Sequence, residues 1–346
     1  MLRRDFLKKT GCLAWTSLCA VEGLSRTAMS HSSGATRASV GTIQTVAGPI
    51  RPEDAGITLP HEHIMSLFGA EITEKPTYDE EQLYKTVLPY LRKLKEMGCG
   101  TIADCTTAYF GRSPRILKKV SEETGLSILT NTGYYAAAND KYVPPHAYKE
   151  SAEQLAIRWI KEFEDGIEGT GIRPGFIKIG VDSGPLSEID RKIVRAAALT
   201  NLETGLTTAS HTGDNLDSVK EQLQIFKEEG ASPSAWIWVH SNNVKELAGL
   251  LFAADQGAWV ELDGVRSENA EQHLKLVTFL KEKGYFKQVL LSHDGNSFRY
   301  GDRPAKAYDW LFEGFIPLLA SSGFSESQVK ALTVDNPARA LSIMER

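Results

Sequence analysis

Eight short apolar runs alternate with longer segments of helical spacing, and this alternation constrains the fold more than any other feature of the chain. The runs fall at 56–59, 100–105, 127–132, 175–181, 206–210, 235–239, 258–262 and 288–292, and each gives way to polar or small residues. Between most of them lie 80–97, 113–124, 151–167, 188–203, 216–229, 244–255 and 270–283, where apolar residues recur at helical intervals. Asp79, Ser113, Ser151 and Ser187 stand where helix N-caps belong. Alternating strands and helices imply a parallel sheet. Eight such units after a short hairpin at 43–50 predict an α/β fold closed into a single (β/α)8 TIM barrel. An open doubly wound sheet would carry a glycine-rich phosphate loop after its first strand. Here that strand runs into Pro60-His61-Glu62-His63 instead. No linker and no fixed-period repeat divides the body, so 39–346 is read as one domain and 1–38 as a leader with a flexible linker.

Composition narrows the function classes. With 42% hydrophobic and 24% charged residues over 346 positions, the chain has the profile of a globular protein, not of a disordered, collagen-like or coiled-coil one. Beyond the N-terminus no apolar run approaches the ~18 residues of a membrane span. A formal charge of -5 with no dominant Lys/Arg stretch argues against a nucleic-acid partner. The opening Arg3-Arg4-Asp5-Phe6-Leu7-Lys8 resembles a twin-arginine export signal, followed by a short apolar stretch at 11–21 and a Ser/Thr/Ala-rich tail. It implies the twin-arginine export machinery as a partner and a periplasmic location, with secretion as the alternative. Loss of residues 1–28 removes Arg3, Arg4, Lys8, Lys9 and Arg26 against Asp5 and Glu22, which takes the charge from -5 to roughly -8. Cys12 and Cys19 would leave with the leader. Cys99 and Cys105 are read as small buried side chains, not as a disulfide framework.

In such barrels the active site lies at the C-terminal ends of the strands. Strand 1 ends in His61-x-His63, and alternate residues of a strand share a face, so both imidazoles can look into the barrel mouth. Strand 4 carries Lys178, strand 5 ends at His211, strand 6 at His240 and strand 8 at His293-Asp294. Taken alone, a strand-end histidine is more often hydrogen-bonded or exposed than a ligand, and a lysine in an apolar strand demands a partner or neutralisation. As an ordered set, His61, His63, Lys178, His211, His240 and Asp294 point to metal. Imidazole and carboxylate suit zinc and its neighbours, manganese and cobalt included. Six side chains are too many for one tetrahedral ion with an open position and about right for two ions sharing ligands. An ammonium has no lone pair to give. Lys178 must therefore shed its proton, and a carbamate formed with carbon dioxide would offer one oxygen to each ion.

These residues resemble the phosphotriesterase family of the amidohydrolase superfamily. Gly48-Pro49-Ile50 with Thr58-Leu59-Pro60-His61-Glu62-His63 is similar to its opening signature, and 169–178 to the segment that delivers its carboxylated lysine. Ser210-His211-Thr212, Val239-His240-Ser241, Leu291-Ser292-His293-Asp294 and the closing Asp335-Asn336-Pro337-Ala338-Arg339 complete a likeness spanning 42–342. The resemblance implies that His61, His63 and Asp294 hold an inner ion, that His211 and His240 hold an outer one, and that carboxylated Lys178 and a hydroxide bridge them. It implies that Asp294 takes the proton of the attacking water, and that relatives' dimers carry over as a homodimer. Two departures bear on substrate. Members that hydrolyse organophosphates carry an Asp after the strand-6 histidine and a His after the strand-7 aspartate; here those segments read His240-Ser241-Asn242-Asn243 and Asp263-Gly264. Lactonase-like members place an Arg after that aspartate, whereas this chain has Arg266 further on.

The sequence therefore leads to a binuclear metal-dependent hydrolase acting on a small carboxylic ester, lactone or amide. Phosphoester or organophosphate triester hydrolysis is the alternative, and a non-catalytic periplasmic binding protein the remote one. Tyr134, Asp263 and Arg266 are the expected substrate contacts. The segment after Asp294 reads as a short loop, which implies a fairly open site.

Overall fold

The computed structural model describes residues 41–71, 77–301 and 303–343. Residues 1–40, where the leader is expected, lie outside the described residues. The chain opens with the antiparallel hairpin β1 (Ile43–Thr45) and β2 (Gly48–Ile50), in register Ile43 to Ile50. The barrel strands follow: β3 (Ile57–Ser66), β4 (Cys99–Asp104), β5 (Ser127–Leu129), β6 (Asn131–Thr132), β7 (Phe176–Gly180), β8 (Thr208–His211), β9 (Trp236–Val239), β10 (Trp259–Leu262), β11 (Val289–Leu291) and β12 (Gly295–Arg299). All their pairings are parallel, in the orders β12-β3-β4-β5 and β11-β10-β9-β8-β7-β6. Two interrupted strands join these halves into a cylinder. β5 pairs with β4 and, one residue later, β6 pairs with β7. β11 pairs with β10, and β12 pairs with β3.

The interior is apolar below and polar above. Ala103, Leu129, Phe176, Ala209, Ile237, Val239 and Leu290 fill the barrel, and Ile43 of the hairpin and Leu341 near the C-terminus pack onto them from beneath. An isolated antiparallel bridge between Thr42 and Ile343 ties the two ends together there. Helices surround the sheet: α1 (Glu80–Glu96), α2 (Pro114–Thr124), α3 (Pro145–Lys149), α4 (Ala152–Asp165), α5 (Glu188–Thr204), α6 (Leu216–Glu229), α7 (Ala248–Asp255) and α8 (Ala270–Glu282), followed by α9 (Ile316–Ser321), α10 (Glu326–Lys330) and α11 (Asn336–Ala340). α1 buries Leu83, Val87, Leu91 and Leu94, the i, i+4, i+8, i+11 stripe that spacing alone predicts. Asp79, Ser151 and Ser187 cap their helices by accepting a backbone N–H, and the last two form capping boxes. Ser113 makes no such bond. Cys99 and Cys105 are free and buried, as expected. Among the described residues no helix is long and apolar enough to cross a membrane.

Two elements differ from the sequence reading. The helix expected from residue 244 starts at Ala248, because His240 leaves β9 in the left-handed region (φ 66°) and a 3-10 turn, Ser241–Asn243, follows. The loop expected after Asp294 is instead strand β12, which continues strand 8 and pairs with β3.

Candidate metal centre

The break in strand 8 sets the site. β11 ends at Leu291, β12 begins at Gly295, and Asp294 between them adopts φ 51°. Left-handed backbone is costly for a non-glycine residue and persists only where its surroundings impose it. Glu62 imposes it here. Its carboxylate accepts from Ser292 Oγ at 2.8 Å, His293 N at 3.0 Å, His293 Nδ1 at 2.8 Å and Gly295 N at 2.7 Å. The side chain lies on the face of β3 opposite His61 and His63, as strand alternation requires, and stitches strand 8 to strand 1. His293 is therefore structural: its other ring nitrogen accepts from Leu311 N at 3.0 Å. Asp294 is left facing the barrel mouth, with its Oδ1 3.6 Å from His61 Nε2 and 3.4 Å from His63 Nε2.

The hydrogen bonds fix which ring nitrogen of each histidine is free. Thr106 Oγ1 donates to Met65 O at 2.7 Å, so its oxygen must accept from His63 Nδ1, 2.8 Å away. Asp263 accepts from His240 Nδ1 at 2.7 Å, from His240 N at 3.1 Å and from His61 Nδ1 at 3.2 Å. With Nδ1 protonated, the Nε2 lone pairs of His61, His63 and His240 are available to a cation. His211 presents Nδ1, which lies 2.8 Å from His240 Nε2 and 3.2 Å from the Tyr135 hydroxyl.

Electrostatics follow the same geometry. Burial, then the neighbouring His240 and Lys178, hold the His211 imidazole well below its ordinary range, and burial does the same more mildly for His63. Burial works to raise the Asp294 carboxyl, but the bond to His63 and the charges of His61, His63 and His240 outweigh it and hold the group below the usual carboxylate range. Asp263 shows the same balance, dominated by His240. Both carboxylates thus stay anionic beside the imidazoles they face.

Lys178 is the residue that most needs explanation. It lies on β7 at 1% exposure, and among the described residues its Nζ has no hydrogen-bond partner. The close turn after β6 holds its backbone: a Cβ on Gly133 would lie 2.3 Å from Lys178 O. A buried, unpaired ammonium costs several kcal/mol, so the group calls for neutralisation or an anionic modification. The donor set fits a metal pair on this ground. His61, His63 and Asp294 form one group, and His61, His240 and Asp263 a second, with the ligating atoms of each within 4.8 Å of one another. In the second group the Asp263 oxygens face the protonated Nδ1 side of both rings, so Asp263 orients ligands and is not itself one.

All six sequence-derived donors, His61, His63, Lys178, His211, His240 and Asp294, line one cavity of about 200 Å³. The three expected substrate contacts are placed elsewhere. Asp263 is 2% exposed and serves the histidines. Arg266 is tied to the backbone, donating to Gly264 O at 3.1 Å and His293 O at 3.2 Å. Tyr134 hydrogen-bonds His146 at 3.0 Å and lines a neighbouring cleft; the adjacent Tyr135 is the one that reaches the cavity. Ser66, Phe68, Phe110, Asn296, Arg299 and Lys306 complete the lining, and the sequence reading did not single out Ser66, Phe68, Asn296, Arg299 or Lys306.

Comparisons with known proteins agree with this architecture. A model of the phosphotriesterase family matches residues 41–341. The phosphotriesterase homology protein of Escherichia coli (strain K12) is 29% identical over 293 residues, covering 83% of this chain and 98% of that protein. The N-acetyltaurine hydrolase of Xenopus tropicalis is 28% identical over 349 residues, covering 87% and 98%. The structure of the organophosphorus hydrolase from Deinococcus radiodurans superposes with a TM-score of 0.79 at 28% identity, covering 90% and 100%.

Proposed function

Since this chain belongs to the phosphotriesterase family, we propose that it is a binuclear metal-dependent hydrolase of a small carboxylic ester, lactone or amide. One observation carries the reading: six donor side chains from five strands converge on one cavity, three of them with Nε2 lone pairs turned inward by fixed partners. His61, His63 and Asp294 would hold one ion, His211 and His240 the other, and Lys178, carboxylated by CO2, would bridge them. Zinc is the best-suited metal for imidazole-rich donors, with manganese and cobalt as substitutes. Bound there, two divalent ions supply a water of lowered pKa and an electrophile for the scissile carbonyl.

The chain's own residues do the rest. Asp294, whose Oδ1 lies nearest the two histidines, accepts the proton of the attacking water through its carboxylate. It then delivers that proton to the leaving oxygen or nitrogen. Asp263 keeps His61 and His240 in one tautomer throughout. Burial pushes the Tyr135 phenol upward, so its hydroxyl stays protonated beside His211.

Phosphotriester cleavage at the same centre is the second reading, favoured by the likeness to the organophosphorus hydrolase. Against it, the relay positions hold Asn243 and Gly264, and Asn242 Oδ1 is occupied by Asp263 N at 3.2 Å. The likeness of Arg3-Arg4-Asp5-Phe6-Leu7-Lys8 to a twin-arginine signal supports export of the folded protein to the periplasm. The test is hydrolysis of a lactone, ester, amide and phosphotriester panel with metal analysis of the same sample. Chelation should abolish activity and Zn2+, Mn2+ or Co2+ restore it. Lys178→Ala should lose metal and regain part of it with short carboxylic acids that mimic the carbamate. Full metal content and rate in Lys178→Ala would defeat the bridge.

A further inference from the structure

The two walls of the cavity differ in chemistry. One is aromatic: Phe110 packs against Phe68 and Tyr135, with ring centroids 5.4 Å apart in each pair. The other is built by β12 and the segment that returns to it. Asn296 and Lys306 exchange two backbone hydrogen bonds of 2.8 Å, an antiparallel bridge that brings Lys306 beside β12. Arg299 and Lys306 both line the cavity.

Among the described residues these cations are not spent on close carboxylates. Among the described residues Arg299 has no carboxylate within ion-pairing distance, and one of its guanidinium nitrogens donates to Pro304 O at 3.0 Å. Lys306 Nζ lies 3.9 Å from Asp294 Oδ2, a long contact to a carboxylate that already faces two histidines. Among the described residues the two cations therefore have one carboxylate contact between them, the long one from Lys306 to Asp294. A neutral substrate gains little from them, whereas an oxyanion gains charge-assisted hydrogen bonds and a focused field. A cavity of about 200 Å³ also falls below the ~300–1,000 Å³ of drug-sized pockets, which suits a short molecule.

We propose that the substrate of this hydrolase carries an oxyanion (carboxylate, sulfonate or phosphate) at the end remote from its acyl group. Arg299 and Lys306 bind that oxyanion, and a small acyl group lies against Phe68, Phe110 and Tyr135. The inference rests on the hydrolase reading above and narrows its substrate class.

Matched aryl acetates test it on the zinc-loaded protein: 4-acetoxybenzoate, 4-acetoxybenzenesulfonate and 4-acetoxyphenyl phosphate against neutral methyl 4-acetoxybenzoate. At least one anionic ester should exceed the neutral one in kcat/KM by about tenfold or more, and the best of the three identifies the oxyanion. The double variant Arg299→Gln/Lys306→Gln should shrink that preference at least tenfold, mainly through KM, and Arg299→Lys should retain most of it. Calorimetric binding of benzenesulfonate gives a readout independent of turnover, expected to weaken in the double variant. Equal rates on neutral and anionic esters, with an unchanged ratio in the double variant, would overturn the anion site while leaving the hydrolase intact. Hydrolysis of none of the four would count against the hydrolase reading. In that case benzenesulfonate binding still decides the anion site: equal affinity in wild type and double variant overturns it, and loss in the variant supports it.

Discussion

Replacing Asp263 by Asn should cost metal affinity out of proportion to the atoms changed. The main chain at this position is pinned independently, since Asp263 N donates to Asn242 Oδ1 at 3.2 Å and Asp263 O accepts from His273 Nε2 at 2.8 Å. The substitution therefore alters only what the side chain offers. The carboxylate accepts three hydrogen bonds, from His240 Nδ1 at 2.7 Å, His240 N at 3.1 Å and His61 Nδ1 at 3.2 Å. An amide has one accepting oxygen. If it serves His240 Nδ1, its NH2 meets the Nδ1–H of His61, and that ring loses the Asp263 acceptor and is left with the Glu261 carboxylate at 3.2 Å. Loss of one such orienting partner costs about 10–100-fold in metal affinity, or about 1.4–2.8 kcal/mol. Because the two rings share one carboxylate, their losses will not simply add; the expected result is a drop of about 100-fold for at least one ion. Competition against a chromophoric chelator measures it, with far-UV circular dichroism showing that the barrel is intact. An affinity within threefold of wild type would refute the orienting role.

Other outcomes follow from the same geometry. Asp294→Asn should keep much of its metal but lose about 10²–10⁴-fold in kcat, because the proton acceptor is gone; a wild-type kcat would remove Asp294 from the chemistry. Glu62→Gln leaves at least one of four buried donors facing an NH2, at about 1–3 kcal/mol. It should lower the denaturation midpoint in urea, and an unchanged midpoint would show that the carboxylate is not what closes strand 8. Arg3→Lys/Arg4→Lys should leave precursor in the cytoplasm, as fractionation and immunoblotting would show; unimpaired export would mean that another route is used.

The barrel was legible because its signal is repetitive. Eight apolar runs with helical spacers specify parallel strands, and strand ends specify where chemistry sits. The candidate donors were legible for the same reason: His61 and His63 differ by two positions, so one face must hold both. Period-2 reasoning fails where the backbone leaves the strand. Past Thr132 the chain turns at Gly133 (φ 111°), so nothing in the sequence tells which of Tyr134 and Tyr135 points inward. His240 and Asp294 leave their strands in left-handed conformations that their residue types do not announce, and these hid the late start of α7 and the resumption of strand 8 as β12. Asp263 was expected to contact substrate, but its partners come from β3 and the end of β9, contacts that no local pattern carries. Glu62 lay between the two histidines, and alternation alone would have turned it to the opposite face, toward strand 8.

The central claim is that these side chains hold a pair of divalent ions. Elemental analysis of the purified protein, paired with the hydrolysis rate of the same sample, tests it most directly. The account requires two ions per chain, with loss of both metal and rate on chelation. A metal-free preparation that hydrolyses its substrate at the full rate would contradict it.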